Sequence, residues 1–403
     1  MASTLTPTEL LARLVAFDTT SHKSNLGLVD FVEDYLRTCG VAAMRVTNAD
    51  GDKANLFATI GPVGLRGVAL SGHTDVVPVD GQAWDSDPFT LRADGGRLYA
   101  RGAADMKGFL ACVLAAVPDF KRRDLAVPIH LAFSYDEEIG CVGVRPMIAE
   151  FGRVLVTPRL VIVGEPTSMQ VVDAHKGPVR WQVDVIGRAA HSSMSHLGVN
   201  AVAYAARLIG ELERIEAELK LDARNERFTP PYASLQVTRI DGGTASNIIP
   251  ASCRFGFEIR ATPGLDPEVI ERRLKRFAEQ ECLPEMRRVA EEAAISITRG
   301  NSVPTFAADA NSEVVTLAMR LAGQNATHAV SYATEAGLFQ DAGGCLRPRR
   351  HRSGAHRQRM DCRKPDRRLH GVPRPPRRLG RRERLTPPLT GRARYFRKNR
   401  RLV

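Results

Sequence analysis

The sequence lacks paired cysteines. Its seven thiols (Cys39, Cys112, Cys141, Cys253, Cys282, Cys345 and Cys362) are scattered, odd in number and never spaced as C-x-x-C. That favours reduced thiols in a cytosol over a disulfide frame or a cysteine zinc site. Also missing is any apolar run near the ~18 residues needed to span a bilayer, which excludes a helical membrane protein. Met1-Ala-Ser-Thr-Leu5 has neither the basic start nor the apolar stretch of a secretory signal. The expectation is a soluble cytoplasmic protein with no membrane partner. What is present is ordinary: 403 residues, 43% hydrophobic and 25% charged, enough for two domains and a large core. The charge, however, is unevenly placed. Of 57 Lys and Arg and 45 Asp and Glu, residues 346–403 hold 22 and 3, leaving 35 against 42 elsewhere. An acidic body carries a very basic tail.

The body is organised around Ser71-Gly-His-Thr-Asp-Val-Val-Pro78. The apolar run Gly67–Ser71 predicts a buried strand that delivers His73 and Asp75 to its C-terminal end, two residues apart and so on one side. Downstream, Asp105, Glu137, Glu138 and Glu165 each follow an apolar strand or sit on a Gly-flanked turn. One histidine with several carboxylates at strand ends is the donor chemistry of a hydrolytic zinc site. The alternatives are a hydrogen-bonded His-x-Asp pair closing a loop and a solvated acidic turn at Glu137-Glu138.

Around these residues, Thr6-Pro-Thr-Glu9 predicts a capped helix, a second helix spans about 26–39, and strands are expected over 54–60, 127–135 and 159–163. Alternating strands and helices predict an α/β sheet with its site at the strand ends. After Lys176-Gly-Pro178 the texture changes to strand, long helix (199–219), two strands (234–240, 248–259) and a helix (267–280). This is a small α+β insertion, with the main domain resuming near Ile295.

Seven stretches carry a resemblance: Ser71-Gly-His-Thr-Asp75, Arg101-Gly-Ala-Ala-Asp-Met-Lys-Gly108, Asp136-Glu-Glu-Ile-Gly140, Gly164-Glu-Pro-Thr167, Gly187-Arg-Ala-Ala-His-Ser-Ser193, Ala245-Ser-Asn-Ile-Ile-Pro250 and Phe257-Glu-Ile-Arg260. In this order, over roughly residues 6–344, they resemble the M20 metallopeptidase family. Within it, Ser134-Tyr-Asp-Glu-Glu-Ile-Gly-Cys-Val-Gly143 and Thr334-Glu-Ala-Gly-Leu-Phe-Gln340 are typical of acetylornithine deacetylases. The resemblance implies a zinc-peptidase-like catalytic domain (1–177 and 293–345) interrupted by a ferredoxin-like lid and dimerisation domain (178–292). It implies a homodimer, a small acylamino-acid substrate, and two zinc (or cobalt) ions. His73 and Glu165 would hold one ion and Glu138 the other, with Asp105 between them. Asp75 would orient His73, and Glu137 would be the general base. His191 would reach an oxyanion site, while Asn247 and Arg260 would clamp substrate. For His191 the alternative is a surface histidine, and for Arg260 a structural arginine on a sheet face. The implied reaction is hydrolysis of N2-acetylornithine. Succinyl-diaminopimelate and other acylamino acids or dipeptides are the rivals.

The family pattern also needs a histidine near the C-terminus, in a stretch like Ala-His-x-x-x-Glu, and here the match stops at about Gly344. His356 follows Ala355, but nothing around it fits. As written, the chain therefore holds two ions or, with that ligand missing, one. An inactive paralogue and a nucleic-acid binder acting through the Arg-rich tail are the readings from other classes. Against the second, the tail interleaves only Tyr395 and Phe396 and has no binding module. Back-translation of 346–380 with GC-rich codons, read one base later, permits Asp-Arg-Ala-His-Thr-Gly-Asn-Glu followed by an amphipathic helix. We therefore expect 346–403 to be a frameshift product, unable to bury a core. Resequencing the gene from codon 335 to the stop is expected to reveal one base gained or lost; an unbroken frame would remove the hypothesis.

Overall fold

A computed structural model describes residues 5–222, 224–309 and 311–341. Its first helix starts for a local reason. Thr6 Oγ1 accepts from the Glu9 N–H at 3.3 Å, while the Glu9 carboxylate accepts from the Thr6 N–H at 2.8 Å. That is the expected capping box, with Pro7 opening the first turn. In chain order, α1 (Pro7–Val15) and α2 (Leu26–Thr38) precede β1 (Ala43–Thr47), β2 (Ala54–Ile60) and β3 (Val68–His73). A hairpin of β4 (Arg92–Asp94) and β5 (Arg97–Tyr99) leads to α3 (Lys107–Arg122), β6 (Ile129–Ser134), α4 (Val144–Ala149), β7 (Leu160–Val163) and β8 (Val172–His175). Next come β9 (Gly177–Ile186), α5 (Ala201–Leu221), β10 (Ser234–Gly242), β11 (Ser252–Ala261), α6 (Glu268–Phe277), α7 (Leu283–Arg287) and β12 (Ala294–Ser302). The described chain closes with β13 (Phe306–Ala307), α8 (Glu313–Ala322), β14 (His328–Val330) and α9 (Ala336–Asp341).

The main sheet has the order β1-β2-β6-β3-β7. β3 is parallel to both β6 and β7, so these three strands end at the same edge. Alternation along β2 and β6 sends Leu56, Ile60, Leu131 and Phe133 to a core shared with α1, α2 and α3. Phe57 and Ala132 face the opposite core, with Val144 and Met147 of α4 and Leu338 and Phe339 of α9. Strands covered on both faces read as continuous apolar runs, which is why these were visible in the sequence. Among the described residues no helix is long and apolar enough to cross a membrane.

The insertion builds a second sheet, β10-β11-β9-β12, antiparallel throughout. With α5 after β9 and α6 after β11, this is the βαββαβ arrangement of ferredoxin-like domains. Here one expectation is corrected. The expected boundary returns the chain to the catalytic domain at 293, but β12 pairs with β9 as the fourth strand of the inserted sheet. The alternating Ala294-Ile-Ser-Ile-Thr298 fits either sheet, and only the pairing decides. The chain crosses into and out of the insertion side by side: Val303 N–H donates to Pro178 O at 2.9 Å. Gly177 lies so close that a Cβ there would sit 2.5 Å from Val303 O.

The inserted core stacks Trp181 on Phe257, with ring centroids 4.9 Å apart and planes within 12°. Both are almost fully buried. Phe257→Ala is expected to cost about 3–5 kcal/mol, read as a lowered denaturation midpoint. A loss under 1 kcal/mol would mean the site collapses far better than its packing suggests.

Candidate metal centre

Three parallel strands and one helix start assemble the site. β3 ends in His73, β6 runs out into Asp136-Glu137-Glu138, and β7 leads through Gly164 to Glu165. Asp105 lies two residues before α3, across a cis Asp105–Met106 peptide. Ligand atoms of His73, Asp105 and Glu165 all lie within 4.8 Å of one another. His73 Nε2 is 3.0 Å from Asp105 Oδ1. Its Nδ1 faces the Asp75 carbonyl oxygen at 2.9 Å and the Asp75 carboxylate at 3.4 Å.

Asp75, 2% exposed, is the keystone of the loop beyond β6. It accepts from Ser21 Oγ at 2.7 Å and from the backbone N–H groups of Glu137 and Glu138 at 3.0 and 3.2 Å. The loop enters through Asp136, in a left-handed conformation that Asp tolerates, with its carboxylate on Lys53 Nζ at 2.7 Å. Its own turns close with Gly140 and Cys141 N–H groups on Glu137 O. The Glu137 carboxylate accepts from Cys141 Sγ at 3.1 Å.

Electrostatics mark this region as built for a cation. Burial pushes Glu165 up to about 9, helped by the charges of Glu137 and Asp105. Burial and Asp105 push Glu138 up to about 7. Glu137 is raised by burial, opposed by the charge of His73. Burial works against a charged His73, yet Asp105 and Asp75 hold it well above its ordinary 6.5. For Asp75 burial is overcome by His73, Ser21 and the Glu137 N–H, so it stays low. Glu165 Oε2 is buried and has no hydrogen-bond partner among the described residues. A buried, unpartnered carboxylate oxygen beside an imidazole and another carboxylate is the donor set a divalent ion satisfies.

Glu138 is not one of the three converging residues; its backbone is tied to Asp75 and its carboxyl is coupled to Asp105 through charge. His191, Asn247 and Arg260 lie on the insertion. His191 Nδ1 faces Ser193 Oγ at 2.7 Å, and Asn247 O accepts from the neighbouring Ser192 N–H. Arg260 Nε donates to Glu258 at 2.6 Å. None of these bonds joins the carboxylate group. His356 and the rest of 346–403 lie outside the described residues.

Sequence reasoning gave no role to Ser21, Cys141 or Glu335. Ser21 carries no pattern that sets it apart, and Cys141 sits inside a quoted motif without any sign that its thiol meets Glu137. Glu335 sits inside a quoted motif, but nothing there announces that it is buried. At 1% exposure it accepts from Ser134 Oγ at 2.5 Å and Ser71 Oγ at 3.4 Å, joining β6 and β3 just behind the site. Burial pushes it up to about 8, against the Ser134 bond and with Glu137's charge. Because the folded state keeps this proton, its contribution is intact below about 4.5 and is lost as pH rises towards about 8. Metal-free protein should therefore lose less stability between pH 5 and 8 as Glu335→Gln than as wild type, by a few degrees in Tm. Parallel curves would refute this.

With this geometry in place, comparison with known proteins is informative. Residues 69–363 match peptidase family M20/M25/M40. The acetylornithine deacetylase of Myxococcus xanthus is 37% identical over 339 residues, 83% of this chain and 86% of that protein. A tripeptidase from Staphylococcus aureus subsp. aureus Mu50 shares the fold, with a TM-score of 0.64 and 20% identity over 84% of this chain and 87% of that one. A Bacillus subtilis protein described as a dinuclear metal-binding peptidase from the M20 family gives a TM-score of 0.58 at 16% identity, covering 83% and 86%.

Proposed function

The chain belongs to peptidase family M20/M25/M40 and is a metal-dependent amidohydrolase, and we propose that its reaction is hydrolysis of N2-acetyl-L-ornithine to L-ornithine and acetate, a step in arginine biosynthesis. The observation that carries the metal chemistry is the convergence of His73, Asp105 and Glu165 around a buried, unpartnered Glu165 oxygen. The named activity of the Myxococcus xanthus relative supports the substrate.

In this reading His73, Asp105, Glu138 and Glu165 are the residues that would hold the two ions. When bound, zinc or cobalt ions supply Lewis acidity, easing ionisation of water and polarising the acetyl carbonyl. Asp75 sets the orientation of His73 and, through two N–H bonds, of the loop that carries Glu137. Glu137 takes one proton from the attacking water as its oxygen bonds to the acetyl carbon. It returns that proton to the α-nitrogen as the C–N bond breaks. A carboxyl raised by burial is a better proton acceptor and still a donor, which suits both halves of that transfer. Arg260 binds the substrate α-carboxylate with help from Asn247, and His191 donates to the developing oxyanion. Glu258 occupies one N–H of Arg260, and a guanidinium has five.

The reading includes a homodimer formed through the inserted domain, whose β10 is an unpaired sheet edge among the described residues. It also includes a cytoplasmic location, consistent with five free thiols among the described residues.

Acetate release from N2-acetyl-L-ornithine, with N-succinyl-diaminopimelate and dipeptides as competitors, tests the substrate on the chain as given and on one with the tail reread in frame. The acetyl substrate is expected to lead by tenfold or more in kcat/KM, and cobalt to titrate to one and two equivalents respectively. Glu137→Gln should lower kcat by about 10²–10⁴-fold while cobalt still binds. Preference for the succinyl substrate would overturn the assignment, and an active Glu137→Gln would remove the base.

A further inference from the structure

We propose that Asn301, on the inserted sheet, is a positioning residue that holds the Glu137–Glu138 loop in its working geometry. The consequence for catalysis rests on the functional reading above; the contact rests on geometry alone. β12 and β9 fall out of register between Arg299 and Ser302: three steps on β12 face two on β9, from Trp181 to Val179. The extra residue is a β-bulge, a device that re-aims a side chain. Here it turns Asn301 towards the loop. Asn301 Nδ2 donates to Ile139 O at 2.8 Å and to Gly140 O at 3.0 Å. Its Oδ1 accepts from the Ser302 N–H at 2.8 Å, so both ends of the amide are committed. One residue on, Ser302 O accepts from Arg145 Nη2 at 2.5 Å, binding the start of α4 to the same strand end.

The loop is thus gripped from two sides by opposite groups. Asp75 takes the Glu137 and Glu138 N–H groups from within, and Asn301 takes the next two carbonyls from without. Gly140 makes room for this. Its φ is +103°, and a Cβ there would lie 2.1 Å from Asn301 Nδ2. Asn301 cannot serve as base or carboxylate ligand; a neutral double donor is what two adjacent carbonyls require, and a carboxylate would repel them.

Asn301→Asp keeps the shape and removes both donors. In the full chain without metal, amide hydrogen exchange at Glu137, Glu138, Gly140, Cys141 and Val142 is expected to accelerate tenfold or more, while amides of α3 stay unchanged. Ser296→Ala, exposed on the same strand, should move neither set. Where turnover is measured, kcat should fall about 10–100-fold, as for partners behind metal ligands, with KM little changed. A double-mutant cycle adds an independent reading: Gly140→Ala should do less harm in an Asn301→Ala background, where the steric conflict is gone. Unchanged loop exchange in Asn301→Asp, uniform acceleration through α3, or strictly additive Gly140 and Asn301 effects would each overturn the proposal. If the chain proves inactive both as given and with its tail reread in frame, the functional reading fails while the exchange result still decides the strut.

Discussion

A single buried carboxylate, Asp75, fixes the site. It sits two residues past His73 at the end of β3, lies under a hydroxyl from the N-terminal segment, and accepts the N–H groups of Glu137 and Glu138 in the loop after β6. Three stretches distant in sequence are registered against one another through that group. Charged acceptors form the stronger hydrogen bonds, and in a buried setting each is worth more than its surface equivalent. His73 beside it supplies the opposite charge that keeps Asp75 ionised. Loss of Asp75 would leave two backbone N–H groups unpaired as well as His73 unoriented, so its cost would exceed that of any one contact.

The second constraint is repulsion. Asp105 and Glu165 offer oxygens within 4.8 Å of each other. Two ionised carboxylates at that separation repel by about 3–4 kcal/mol at an effective dielectric near 20. Burial raises Glu165 and Glu138 first, and this repulsion adds to it, so protons answer part of the conflict. A divalent cation answers it more completely, because it also gives the buried Glu165 oxygen a partner. Burial also raises Glu335 behind the sheet, with the charge of Glu137 adding to it; among the described residues it is not part of the converging donor group, and a proton neutralises it. Position relative to the strand ends therefore separates carboxyls that attract metal from one that simply stays neutral.

Legibility in the sequence follows burial. Strands covered on both faces, such as β2, β3 and β6, announce themselves as apolar runs, and their ends located His73, Glu137, Glu138 and Glu165. The exposed edge strand β1 alternates too weakly to be seen. Asp105 was found because a Gly-flanked turn runs into an apolar helix. Three things stayed hidden: which sheet β12 joins, the carboxylate-capping role of Ser21, and the burial of Glu335. Each is a fact of pairing across 50 residues or more, to which local propensity and periodicity are blind. The Arg299-Gly-Asn-Ser302 stretch did carry a hint, since Gly and Asn inside a strand pattern mark a bulge.

The division of labour between the two sheets explains why chemistry is easier to assign than substrate. His73, Glu165 and the Glu137–Glu138 loop hang from the ends of a parallel sheet whose topology brings them together whatever the surface sequence. His191, Asn247 and Arg260 belong to the insertion, Arg260 alone of the three on one of its sheet strands, and their present bonds are to Ser193, Ser192 and Glu258, not to the donor group. A carboxylate clamp built on Arg260 must share its guanidinium with Glu258, itself also held by Arg180 at 2.7 Å. That Arg–Glu–Arg ladder keeps the guanidinium plane fixed while leaving N–H groups for a ligand. On the proposed reading it would present charge and geometry that suit any α-carboxylate and would select amino-acid derivatives as a class. Discrimination among acyl groups must come from contacts to the other side of the scissile bond.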